Sequence, residues 1–351
     1  MYIYLFIVFI STIIFFSHAL IKHEKVNRIT AFIWVVMMTF VVALQDNMGE
    51  DYSNYKELCR QYWAEPKEIF TIIILYPIHH FSVPDTFFFL VYAFLTYYYF
   101  SKFVLSYDRT IRFVMVMIMF QCIMFFQSFN LIRQILACSL FLYGSTLYFK
   151  GYKKSWLYLL FAVFVHETAL FGILIMFLSK KVNFSLGIFL LYLISFFVFL
   201  KGNIISILLN ILQPILNYTS YAHYYDVHLS IFEDNKMSFG IMYGFIFIMT
   251  LFLYIIRNKF ENKGWGSILT CFILGQILFN LFSANVTLVR ASYYSYFYIF
   301  LLFPLSVKLF KSNYRLKMLC FIYLIFFLSF YKSISDPNFA FVPYRNIIFN
   351  F

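Results

Sequence analysis

An all-α polytopic membrane protein is the fold class this sequence predicts, and three observations predict it. Apolar runs recur from end to end, each close to the ~20 residues a helix needs to cross a hydrocarbon core of roughly 30 Å. Charged residues make up only 12% of the 351, so little is left to solvate a water-exposed domain, and aromatics make up 24%. Lysine and arginine gather in short clusters between the runs, the pattern of cytoplasmic loops. With no long hydrophilic segment to separate domains, residues 1–351 read as a single integral-membrane domain.

The clusters set the direction of each element. They hold 18 of the 27 basic residues but only Glu24, Asp108 and Glu261 of the 15 acids, so their face carries +15 and the remainder −3 of the net +12. Basicity placed by topology in this way does not imply nucleic acid. Residues 2–21 then run inward; with no positive charge before them and no small-residue cleavage pattern after them, they are expected to be a retained helix. Residues 29–45 run outward, 86–105 inward, 113–128 outward and 131–149 inward. The remaining spans are 183–200 outward, 239–256 inward, 265–283 outward, 292–307 inward and 318–331 outward, ten crossings in all. Two pieces do not fit as single crossings. "IFTIIILYPIHHF" (69–81) is short and contains a proline, and 155–179 has lysines at both ends and His166–Glu167 in its middle. Each is expected to be a re-entrant or broken segment, which is tolerated where protein or a wet cavity shields the backbone. Within 201–238, "ISILLNILQPILNY" reads as an interfacial helix.

Polar residues inside or beside apolar runs are the candidates for function, because a charge near the bilayer centre costs roughly 2.5–3.5 kcal/mol on insertion scales. Arg133 and Arg290 both fall at outer helix ends, where charge bias would not put arginine. A guanidinium fork suits a phosphate bidentately, whereas snorkelling or a structural pair with an acid such as Glu167 is the plainer alternative. His166 and Glu167 form a His/acid pair within an apolar run, read either as a site or as helix-packing hydrogen bonders. In "LQDNMGEDYSNY" (44–55), Gly49 permits a tight turn and Asp51 can serve as a general base; solvated loop acids are the alternative. Tyr52, Tyr55, Tyr221 and Tyr224 lie on the same side, and their rings fit either an interface belt or a sugar-binding surface. The five cysteines show no zinc spacing and no disulfide pattern.

Four of these stretches together resemble the EpsG family, which is similar to Wzy-type polysaccharide polymerases. "GEDYSNY" (49–55) resembles its G-x-D-Y-x-x-Y element, and "NLIRQILACSLFLYG" (130–144) its N-x-x-R-Q-x-x-A helix start. "FVHETALF" resembles its H-x-S-A-L element with Thr168 in place of serine. "VRASYYSYFYIFLLFPL" followed by "VPYRNI" resembles its closing Arg/Tyr helix and Pro-Tyr tail, bringing in Tyr344 and Arg345. Gln45 departs from the pattern, since members commonly carry arginine four positions before the glycine.

The resemblance implies a GT-C-like bundle of about 10–12 helices in the bacterial inner membrane, with periplasmic loops and an active site facing the periplasm. It implies polymerisation of sugar repeat units carried on undecaprenyl diphosphate, for O-antigen, capsule or exopolysaccharide, without metal or other cofactor. Membrane lipid, a flippase and a chain-length regulator are the implied partners. Asp51, with His166 or Glu167 as second choice, is expected to supply the base. Arg133, Arg290 and Arg345 are expected to hold the diphosphate, and Tyr52, Tyr55, Tyr221, Tyr224 and Tyr344 the sugars. A lipid-linked oligosaccharide flippase would share the substrate but should show two similar halves. An O-antigen ligase should carry a much longer periplasmic loop than 201–238, and a membrane acyltransferase could use His166.

Overall fold

The protein is described by a computed structural model covering residues 1–61, 68–121, 124–201, 241–283, 286–336 and 341–347. Its regular structure there is helical, with no strand among the described residues, and the chain is an all-α polytopic membrane protein. Among the described residues, four helices are long and apolar enough to cross a bilayer: α1 (Tyr2–Leu20), α2 (Glu24–Ala43), α5 (Thr86–Leu105) and a closing helix, α17 (Ser312–Ser335). Between these come α3 (Tyr52–Arg60), α4 (Ile69–Phe81), α6 (Arg112–Gln121), α7 (Met124–Asn130), α8 (Ile132–Phe149), α9 (Ser155–Val165), α10 (Ala169–Lys181) and α11 (Leu186–Lys201). Then follow α12 (Ile241–Ile255), α13 (Arg257–Glu261), α14 (Gly266–Phe282), α15 (Val286–Tyr296) and α16 (Ile299–Ser306). Several expected spans are therefore shorter helices or bent pairs, such as Arg109–Gln121 and Met124–Asn130, inclined by 47°.

Packing divides the chain into two compact units, residues 1–170 with 299–351, and residues 171–298. In the first unit the ring contacts fix helix directions. Phe16 meets Phe113 and Tyr4 meets Phe125, so α1 runs antiparallel to the α6–α7 segment. Trp34 donates to Ser11 Oγ at 2.8 Å and His18 Nε2 meets Thr30 Oγ1 at 2.8 Å, which sets α2 antiparallel to α1. Phe32 meets Phe94, setting α5 against α2, while Tyr99 meets Tyr143 and Lys150 Nζ donates to Ser106 O, making α8 parallel to α5. Phe113 meets Tyr323 and Phe120 meets Phe330, so α17 runs with α6. These relative directions are the ones the basic clusters predict.

One end of this unit thus gathers the basic clusters at 22–28, 102–112, 150–154 and 308–317, and the opposite end gathers 44–51, 130–133 and the tail. Exposed faces are apolar, with Phe6, Phe9, Ile33 and Phe40 among them, as suits a lipid surround. Segment 69–81 does not carry the chain across: α4 begins beside Arg133 and Tyr92, and residues 82–85 lead straight into α5 at that same end. Segment 155–179 is broken as expected, with α9 ending at Val165, His166 extended at φ −157° and ψ 119°, and α10 starting at Ala169.

In the second unit α11 and α12 lie antiparallel through Phe189–Tyr254 and Phe196–Phe247 stacks, with ring centres 3.8 and 4.1 Å apart. Helices α14 and α15 approach closely at Gly275, where a Cβ would come within 2.7 Å of Ser295 Cβ and the Tyr296 main-chain nitrogen.

Candidate active site

The opposite end of the first unit is assembled from three separate pieces of sequence. Leu44–Asp51 leaves α2 in a tight turn with Asn47 and Gly49 at positive φ, 52° and 81°. Gly49 is required twice over: a side chain there would be strained by the left-handed backbone, and its Cβ would lie 3.2 Å from Asn130 Oδ1. That same Oδ1 accepts the main-chain N–H of Asp51 at 2.8 Å. Asp51 is the residue before α3, so Asn130 satisfies a donor near a helix start that its own helix leaves open.

One turn along α3 stands Tyr55, and one turn beyond Asn130 stands Arg133, whose guanidinium carbon lies 5.9 Å from the Tyr55 ring centre. The two turns face each other: Asn130 holds Asp51 while Arg133 covers Tyr55. Arg133 is also ion-paired through Nη1 with Glu68 Oε2, and Glu68 hydrogen-bonds Thr71, which in turn meets the Tyr92 hydroxyl at 2.9 Å. The acid that pairs with Arg133 is thus Glu68, not Glu167. Glu68 was legible only as a carboxylate just before the apolar run 69–81, with nothing in sequence to link it to a residue 65 positions away.

The third piece is the tail. Asp46 N donates to Arg345 O at 3.1 Å and Ile347 N to Leu44 O at 3.0 Å, with a bridge between Gln45 and Asn346. Tyr344 donates to Val41 O at 2.7 Å and accepts from Asn346 Nδ2 at 2.9 Å, its ring beside Tyr4. The "VPYRNI" tail therefore docks by main chain and tyrosine hydroxyl, leaving the Arg345 guanidinium exposed. Beneath it Gln45 is only 2% exposed, and neither atom of its side-chain amide has a hydrogen-bond partner among the described residues.

Tyr52 and Tyr55 are buried, their rings against Phe89 and Phe88, so they present edges and hydroxyls more than open faces. Burial, then the charge of Asp46 and its hydrogen bond at 3.4 Å, push the Tyr52 phenol up to about 12. Asp51 is half-buried, within 3.5 Å of Asn54 Nδ2. His166 lies on the same side of the unit. Helices α8 and α9 form a short-looped hairpin in which Gly144 touches Tyr158 and Leu159. At about 1.5 Å per residue, that register brings His166 level with about residue 136, roughly one turn short of Arg133. Its Nδ1 lies 2.9 Å from Thr168 Oγ1 and 3.4 Å from the Thr168 main-chain nitrogen. Glu167 beside it is exposed.

Arg290 is half-buried on α15 of the second unit. Tyr221 and Tyr224 lie outside the described residues.

Fold and site together define a multi-pass membrane protein that presents a carboxylate and a guanidinium at one end of a helical unit. Residues 28–346 match the EpsG family, and the chain belongs to it. Membership supports a polysaccharide polymerase-like, glycosyltransferase-like role, and all the motifs described above fall within or at the edge of the matched span. No curated protein and no solved structure matches the chain.

Proposed function

We propose that the protein is a GT-C-like polysaccharide polymerase, transferring a glycan from undecaprenyl diphosphate to a lipid-linked repeat unit at the periplasmic face. The observation that carries this is the paired contact of Asp51 with Asn130 and Tyr55 with Arg133. It ties the turn that carries Asp51 to the turn that carries Arg133, at the end of the unit away from the basic clusters. In the reaction, the acceptor hydroxyl oxygen attacks the anomeric carbon as its bond to the diphosphate breaks. The electron pair leaves with the diphosphate and the hydroxyl proton passes to Asp51. The attack comes from the face opposite the leaving group, so a single displacement inverts the anomeric centre.

Arg133 meets the charge that develops on the departing diphosphate, a task worth roughly 2.7–4 kcal/mol per donor in oxyanion-type sites. Glu68 holds the guanidinium in place before the donor binds and exchanges with the diphosphate when it arrives. Arg345 is assigned to the same anion, Arg290 to phosphate binding on its own unit, Tyr52, Tyr55, Tyr221, Tyr224 and Tyr344 to sugar, and His166 and Glu167 to a reserve base. No metal or other cofactor is assigned, and the bacterial inner membrane is the proposed location.

Deletion of the gene, followed by a polysaccharide ladder on a gel, tests the reading. Surface lipid carrying one repeat unit identifies a polymerase, whereas complete loss of surface sugar identifies a flippase or a ligase. Complementation with Asp51→Asn or Arg133→Ala should leave protein in the membrane and give no long chains. Normal ladders from both would overturn the assignment.

A further inference from the structure

The basic end of the first unit contains a crevice that the polymerase chemistry does not use. It has a volume of about 380 Å³ and lies between the start of α2 and the end of α5, with Tyr143 of α8 at its side. Its charged lining is Glu24, Arg28 and Lys102. Glu24 is already committed: Oε1 accepts from Arg112 Nη2 at 3.0 Å and Oε2 from the Asn27 amide at 3.1 Å. Arg112 is itself buried and fully engaged, since Nε donates to Tyr107 O and Nη2 also to Leu105 O, closing the end of α5. Arg28 and Lys102 enter no ion pair among the described residues, and Lys102 Nζ sits 5.2 Å from the Tyr98 ring centre. The crevice is therefore left with two uncompensated cations.

The shape of the lining says what kind of anion would fit. On the polar side, Tyr98 and Tyr143 bring phenol groups, while the Ser101 and Ser106 hydroxyls are spent on their own helix at 2.8 and 2.7 Å. Towards the middle of the unit the crevice is walled by Phe32, half exposed on the outer face of α2 and ring to ring with Phe94. A small soluble anion would use the cations and leave that apolar wall wet. A phosphate that carries an acyl chain would use both, with the headgroup at the level of the basic loops and the chain along α2.

We propose that this crevice binds an anionic phospholipid, its phosphate between Arg28 and Lys102 and a chain against Phe32. Two cations near the surface at about 5.4-fold each give about a 30-fold preference for the charged headgroup.

The test uses the full-length protein purified in detergent, with native mass spectrometry counting bound lipid during titration with phosphatidylglycerol or phosphatidylcholine. Phosphatidylglycerol should be retained in preference, and the Arg28→Gln/Lys102→Gln double variant should lose that preference by about 30-fold. The charge-conserving pair Arg28→Lys/Lys102→Arg should keep most of it, and its thermal unfolding in the same detergent controls for the fold. Equal retention of both lipids by the native protein would overturn the proposal. So would an unchanged preference in the double variant, or full displacement of lipid by inorganic phosphate, which would mark a free-anion site. Polymer length is not the readout, so failure here and failure of the polymerase reading are separable.

Discussion

At the basic end of the first unit, order comes from charges that meet other charges or helix termini. Arg112 bridges Glu24 and the last carbonyls of α5, and Lys308 reaches Asp108 at 2.6 Å. At the opposite end, the ion pairs Arg133–Glu68 and Lys56–Asp85 are joined by neutral contacts between segments far apart in sequence: Asn130 to Asp51, Asp46 to Arg345, Leu44 to Ile347. There Arg133 sits over the Tyr55 ring, one turn along α3 from the half-buried Asp51. The difference teaches where chemistry is built. Charge clusters orient the chain, and docked loops with specific amide contacts hold a geometry.

The largest effect that could break this contrast is at Arg133. Arg133→Ala should lower polymer formation by about 10²–10³-fold, the loss expected when one preorganised donor is removed from developing charge. It also strands Glu68 without its partner. Glu68→Gln separates the two roles: it removes the ion pair and keeps the guanidinium, so polymer should persist at a reduced level. If Glu68→Gln were as inactive as Arg133→Ala, the pair would be structural, or Glu68 the base.

Asn130→Ala comes next. It leaves the Asp51 N–H without an acceptor and loosens the turn that Gly49 makes against Asn130. An unmet donor of this kind costs about 1–3 kcal/mol, to be read as a fall in thermal stability in detergent together with shortened chains. Asp51→Ala keeps the main-chain bond, so it should abolish polymer with little change in stability. A matching stability loss in both would mean that the carboxylate is only a loop anchor.

These comparisons also show what the sequence could tell. Helix directions followed from the lysine and arginine clusters, and the break at His166 from a polar pair in a run too short for two spans. Gly49, Asp51 and Arg133 stood out because glycine, acid and arginine are costly at an apolar edge. Glu68, Asn130 and the docking of 344–347 on 41–48 were not legible, because pairings at such sequence separation leave no periodicity behind. The tyrosines were legible as a chemistry and not as a place. The same ring chemistry that suits sugar suits a core, and Tyr52 and Tyr55 are packed on Phe89 and Phe88.

Gln45 sharpens the contrast at smaller scale. A buried amide with no partner is a net cost, so Gln45→Met, close in volume and apolar, should leave stability unchanged or raise it by about 1 kcal/mol. If the amide serves substrate, polymer yield should fall while stability holds or rises. Unchanged yield would make Gln45 a packing residue.

The smallest effect belongs to the basic end. Burial alone would raise the Asp108 carboxyl, but hydrogen bonds from Lys308 and Thr110 outweigh it and hold the group at about 2, below its ordinary 3.8. A carboxyl whose folded value is depressed stabilises the fold above the unfolded value and loses that contribution as pH falls through the folded one. The contact between the 109–111 turn and the end of α16 should therefore be constant from neutral pH to about 4 and weaken between 3.8 and about 2. Both partners are partly exposed, so salt should blunt the effect. Asp108→Asn should flatten the acid limb of a stability–pH curve in detergent and lower the neutral plateau by about the height of that limb. An unchanged acid limb would mean that the contact contributes nothing to stability.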